Sequence, residues 1–164
     1  MARLTLTLSI IKINKGPTAP KIVPKCMVLN ARFLEKPDAA PALYAELRNN
    51  NIDICYVSES WLSRIILSHL ICPEGYVMVR KVTGGDICRK DWKVEVSNVT
   101  DSLEFESVWC KITTTNSEYH FGSVYHPPDP VYDPVDLLEY MSDTCDQILA
   151  DDPNAKVIIA GDID

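Results

Sequence analysis

The sequence predicts an α/β fold built on mixed sheets, and three observations predict it. A strand, a helix and a second strand follow one another over residues 25–58. Several later strands are joined by short turns. A long capped helix then leads into a short, wholly apolar strand near the end.

Residues 1–25 read as an N-terminal extension or linker. Leu4 to Ile13 has the alternation of a strand, but Gly16-Pro17, Pro20 and Pro24 follow, with lysines between them. The domain proper is assigned to residues 26–164. Lys25 to Ala31 is a strand ending near Asn30. Asp38 to Asn49 reads as a helix, with Asp38 at its cap and Leu43, Tyr44 and Leu47 at helical spacing. Asn49, Asn50 and Asn51 turn the chain into Ile52–Ser58, a β-branched run suited to a strand covered on both faces. Strand, helix and strand in this order make a βαβ unit with parallel strands and a right-handed crossover.

Trp61 to His69 reads as a short helical turn, Tyr76 to Val82 as a strand, and Gly84-Gly85 as a turn. Ile87 to Val96 is charged enough to be an edge strand. Phe105 to Thr113 sets Phe105, Ser107, Trp109 and Lys111 on one face and Val108, Cys110 and Ile112 on the other. Tyr119 to Tyr125 is a further strand, stopped by Pro127-Pro128. These short connections imply an antiparallel meander. Asp133 to Ala150 is the best helix: Asp133 caps it, Pro134 fits its first position and Asp136 lies in its first turn. Its apolar stripe is Leu138, Met141, Cys145, Ile148 and Leu149. Lys156 to Ala160 is a short buried strand running into Gly161-Asp162-Ile163-Asp164.

Composition narrows the function classes. A chain of 164 residues, 46% of them hydrophobic, supports one domain with a sizeable core. No stretch approaches the roughly 18 apolar residues of a membrane span, so no membrane partner is expected. The opening run lacks a small-residue cleavage site, and the six cysteines form no Cys-x-x-Cys pair. The cysteines read as reduced core residues, and the protein as intracellular, in nucleus or cytoplasm, not secreted. Residues 1–36 carry seven Lys or Arg and one acid; the remainder carries nine and twenty-two. An acidic body is a poor general match to nucleic acid, which leaves local patches to decide contact.

Three polar residues stand at the ends of buried strands: Asn30, Glu59 and Asp162, with Asp164 beside the last. Two of them have a structural alternative. Asn30 suits a turn, and Glu59 suits the N-terminus of a following helix with Ser58 or Ser60 as cap. Gathered together, an amide and several carboxylates are what a hard cation such as Mg²⁺ requires. The chemistry such a cation serves is phosphoester cleavage.

Five blocks occur in order: VLNARFL, DICYVSESWL, LEFESVWCKI, SVYHPPDP and VIIAGDID. Over residues 26–164 they resemble the endonuclease/exonuclease/phosphatase superfamily, and most of all the endonuclease domain of non-LTR, LINE-type retrotransposons. The resemblance implies a partial DNase I-like α/β-sandwich, the N-terminal part of a four-layer fold. It implies an Mg²⁺-dependent DNA endonuclease, with Mn²⁺ as an alternative cation and DNA as partner, nicking target DNA for retrotransposition. It also implies Glu59 and Asn30 at the metal and Asp162, Asp164 and Tyr125 as catalytic residues.

Two departures count against full activity. Asp164 stands where the family has asparagine, and an ionised aspartate cannot donate a hydrogen bond to a developing negative charge. Family members also carry a late aspartate and a terminal Ser-Asp-His block, whose Asp–His pair activates water. Residues 1–164 contain neither, so an incomplete domain with little or no activity is expected. Two alternatives remain: another phosphodiesterase or phosphatase of the same fold, or a non-catalytic remnant that binds nucleic acid or protein. Target-site preference and oligomeric state are not legible in the sequence.

Overall fold

The computed structural model describes residues 23–31, 34, 36, 38–60, 71–80, 85–97, 102 and 104–163. The strand reading of Leu4–Ile13, the helical turn at 61–69 and Asp164 lie outside the described residues. In chain order the elements are β1 (Cys26–Asn30), α1 (Ala39–Asn49), β2 (Ile54–Ser58), β3 (Tyr76–Arg80), β4 (Gly85–Arg89), β5 (Lys93–Val96), β6 (Glu106–Thr113), β7 (Glu118–His126), α2 (Pro134–Asp151) and β8 (Val157–Ile163).

They form two four-stranded mixed sheets, ordered β1-β2-β4-β3 and β5-β6-β7-β8. The βαβ unit is present, with β1 and β2 parallel and Asn30 opposite Ser58. The antiparallel meander is present as β5-β6-β7. β8 then joins β7 in parallel, with Tyr125 opposite Asp162.

Side-chain alternation sorts the core into layers. Val28, Ile54, Tyr56 and Cys88 of the first sheet meet Val108, Cys110, Ile112, Tyr119, Phe121, Ile158 and Ala160 of the second. Met27, Cys55, Val57 and Ile87, on the other face of the first sheet, pack on Leu43 and Leu47 of α1. Val124 and Trp109, on the outer face of the second sheet, pack near Leu137 and Ile148 of α2. The layers are therefore α1, sheet, sheet, α2, a partial DNase I-like sandwich. All six cysteines are unpaired. Among the described residues no helix is long and apolar enough to cross a membrane.

Three expectations are corrected. Ile87–Val96 is not one edge strand. A turn at Lys90–Trp92, closed by Trp92 N–H donating to the Arg89 carbonyl at 3.2 Å and by the Arg89–Asp91 ion pair, splits it. β4 is interior to the first sheet and β5 is the edge of the second. The stripe of α2 is correct at Met141, Cys145, Ile148 and Leu149, which pack on the second sheet, but Leu137 and Thr144 are buried with them and Leu138 is 60% exposed. Asp133 does cap α2, accepting from Val135 N–H at 2.9 Å. Asp38 occupies the cap position of α1 without making a side-chain cap bond, because its backbone is left-handed (φ 72°).

Candidate functional site

The site grows out of the strand ends. On β1, Cys26, Val28 and Asn30 share the face turned to the second sheet, and on β2 Ile54, Tyr56 and Ser58 do the same. Ile158, Ala160 and Asp162 share a phase on β8. The apolar members of these sets fill the inter-sheet core. The polar member comes last in each of these sets, so the three polar side chains meet at one end of the sandwich.

Asp162 is the hub of this meeting. Its Oδ2 accepts from Asn30 Nδ2 at 3.0 Å and from Ser58 Oγ at 2.5 Å. Ser58 is almost wholly buried. Two donors from the first sheet thus hold one carboxylate of the second, and hydrogen bonds to a charged acceptor are stronger than neutral ones.

Glu59 arrives by a different route. Strict alternation would send it toward α1, away from the other sheet. Its φ of 46° is left-handed, a conformation that disfavours side chains with a Cβ. The alternation breaks there, and Glu59 Oε1 accepts from Tyr125 Oη at 3.3 Å. Tyr125 is the ladder neighbour of Asp162. Burial, and then the Glu59 charge, push its phenol up to about 12, so at neutral pH it remains a donor.

Asn30, Glu59, Tyr125 and Asp162 are therefore brought together, in two hydrogen-bonded pairs joined through the β7–β8 ladder. Asp164 lies outside the described residues. Ser58 is the member that sequence reasoning missed, having been read only as a helix cap. Its signal was its phase with Ile54 and Tyr56. His126 follows Tyr125 but takes the opposite phase, and its Nδ1 lies 3.2 Å from Tyr132 Oη on the α2 side.

The donor set fits a hard divalent cation. Asn30 Oδ1 is buried without a hydrogen-bond partner, an acceptor that ordinarily costs stability when left bare. With the Glu59 carboxylate it offers the oxygen ligands that Mg²⁺ or Mn²⁺ prefers. Among the described residues no three His, Cys, Asp or Glu side chains form a metal-holding group. The fit therefore rests on the unpartnered oxygen of the asparagine amide that binds Asp162.

This architecture is that of the endonuclease/exonuclease/phosphatase proteins, the DNase I-like fold. The chain is similar to the endonuclease domain of TRAS1, a telomere-specific non-LTR retrotransposon, with a TM-score of 0.57 and 19% identity, covering 82% of this chain and 57% of that one. It is similar to truncated Caenorhabditis elegans TDP2, with a TM-score of 0.63, 16% identity and coverage of 85% and 61%. It is also similar to an AP endonuclease from Archaeoglobus fulgidus, with a TM-score of 0.60, 18% identity and coverage of 85% and 57%. The chain thus spans about three-fifths of the length of these neighbours. No protein-family pattern matches the sequence, and no curated protein does.

Proposed function

We propose that this chain is part of an Mg²⁺-dependent DNA endonuclease domain of the retrotransposon type, carrying the metal-binding half of a phosphodiesterase site. The observation that carries the reading is Asn30 Oδ1, a buried and unpartnered acceptor on the amide that binds Asp162, whose ladder neighbour Tyr125 donates to Glu59. Asn30 and Glu59 would hold the cation, with Mn²⁺ able to replace Mg²⁺. A bound cation screens phosphate charge and stabilises the leaving oxygen. Tyr125, which gives its one hydroxyl hydrogen to Glu59 here, would turn that hydrogen to the phosphate once Glu59 holds the cation. Asp162, held by Asn30 and Ser58, orients the attacking water. Neither described histidine serves as base: His126 meets Tyr132, and His120 shares its phase on β7. A polypeptide of residues 1–164 alone is therefore expected to bind the cation and to hydrolyse DNA weakly or not at all.

The retrotransposon assignment is supported by the five sequence blocks and the likeness to TRAS1. The acidic body and the similar likeness to TDP2 favour a second reading, another phosphodiesterase of this fold acting on a substrate other than duplex DNA. Two measurements test the proposal together. Mn²⁺ binding, followed by paramagnetic resonance, is expected in the wild type and weakened at least tenfold in Glu59→Ala. Binding unaffected by that change would sink the metal assignment. Supercoiled-plasmid nicking is expected to be at background. Robust nicking lost in Glu59→Ala would confirm the endonuclease and overturn the expected inactivity. Turnover of other phosphodiesters without nicking would favour the second reading.

A further inference from the structure

Asp86 lies on β4 and faces the layer between the sheets, where it is fully buried. Its ladder neighbours are Tyr56 on β2 and Val79 on β3. From the opposite sheet, Ser123 Oγ stands 3.2 Å from Asp86 Oδ2 and 3.3 Å from the Val108 carbonyl oxygen. Cys110 Sγ lies 3.9 Å from the same Oδ2. Asp86 Oδ1 has no hydrogen-bond partner.

A serine hydroxyl carries one hydrogen. Ser123 cannot give it to both the Asp86 carboxylate and the Val108 carbonyl. A neutral Asp86 resolves the shortage. Its acid O–H donates to Ser123 Oγ, and Ser123 donates onward to Val108. Each acceptor in that relay then has a donor, and no charge remains in an apolar core where an ion is costly.

We propose that Asp86 is a buried proton-binding site that ties β4 of one sheet to β6 and β7 of the other, and that its ionisation weakens the contact between the sheets. The proposal stands whatever the strand-end site binds. Burial pushes the Asp86 carboxyl up to about 8, against the lowering effect of its bonds from Ser123 and Cys110. The titratable groups around it are Cys26 on β1, Cys55 and Tyr56 on β2, Cys88 on β4 and Cys110 on β6. Burial raises each of them, and the Asp86 charge adds to the rise, so all stay protonated near neutrality.

The sign follows from linkage. An aspartate in the unfolded chain titrates at its ordinary 3.8, and the folded one at about 8. Between these values the folded chain holds a proton that the unfolded chain has lost. Stability is therefore full below the lower value and falls as pH rises through the window. The fall is about tenfold in the folding constant per pH unit, levelling off above about 8.

The test compares urea denaturation of the wild type and Asp86→Asn from about pH 6 to about pH 9. The asparagine amide can donate to Ser123 as the neutral acid does. The wild-type folding constant, divided by that of the variant, is expected to fall roughly tenfold per unit up to about pH 8 and then flatten. A ratio that does not change with pH overturns the proposal. Carboxyl carbon-13 NMR of the wild type gives a reading that survives any failure of the variant to fold. A neutral Asp86 at about pH 6.5 supports the proton site, and an ionised one at that pH overturns it.

Discussion

Ser58 and Asp162 are separated by 104 positions in the chain and joined by a 2.5 Å hydrogen bond across the two sheets. With the Asn30 bond at 3.0 Å, it fixes one carboxylate at the end of the inter-sheet core. Each sheet therefore depends on the other for the geometry of the site.

Removing the hydroxyl should be felt as stability. Ser58→Ala leaves Asp162 with Asn30 as its remaining side-chain donor among the described residues, and should cost about 1.5–3 kcal/mol, the range for a bond to a charged group. Ser58→Ala and Asn30→Ala share an acceptor, so their effects should not add. A double-mutant cycle by urea denaturation checks this, and strict additivity would count against a shared hub.

The phenol of Tyr125 reports on Glu59. Burial and the neighbouring carboxylate raise it to about 12. Phenolate absorbance, taken as wild type minus Tyr125→Phe, should rise late in an alkaline titration. Glu59→Gln removes the repelling charge and should move the transition down. An unmoved transition would mean that the 3.3 Å contact does not persist in solution.

Gly122 is required by the close approach of Trp109. A Cβ on residue 122 would meet the indole Cζ3 at 2.6 Å, in a cluster shared with Ile148 and Ala155. Gly122→Ala should destabilise by about 1–3 kcal/mol, the usual cost of overpacking. Tryptophan emission should shift as well. A variant with unchanged midpoint and emission would show that the ring has room to move.

The sheet-facing side of α2 gives a clean contrast between adjacent leucines. Leu137 is buried against Phe105 and Val124, so Leu137→Ala should cost about 2–5 kcal/mol. Leu138 is exposed, so Leu138→Ala should stay within about 0.5 kcal/mol. Thermal or urea unfolding of the two variants decides between this face and the one expected from spacing.

Several features of the fold could be read from residues alone because they are local. β-branched runs, the Asp133-Pro134 cap and the proline stops depend on neighbours in sequence, and β1, β2, β6, β7 and α2 lie close to where these signals put them. The break between β4 and β5 was hidden because a charged stretch reads the same whether it is one edge strand or two strands in different sheets. Which leucine α2 buries was hidden because Leu137 and Leu138 are chemically identical and only the partner sheet chooses between them.

The sequence by itself determined which residues end the buried strands, and so set Asn30, Glu59 and Asp162 as candidates beside Tyr125. Only the tertiary structure decided that Ser58 grips Asp162, that a left-handed turn carries Glu59 to Tyr125, and that Asp86 is sealed between the sheets. The physical reason is that strand alternation is written in neighbouring residues, whereas a hydrogen bond between sheets depends on how two independently formed layers stack.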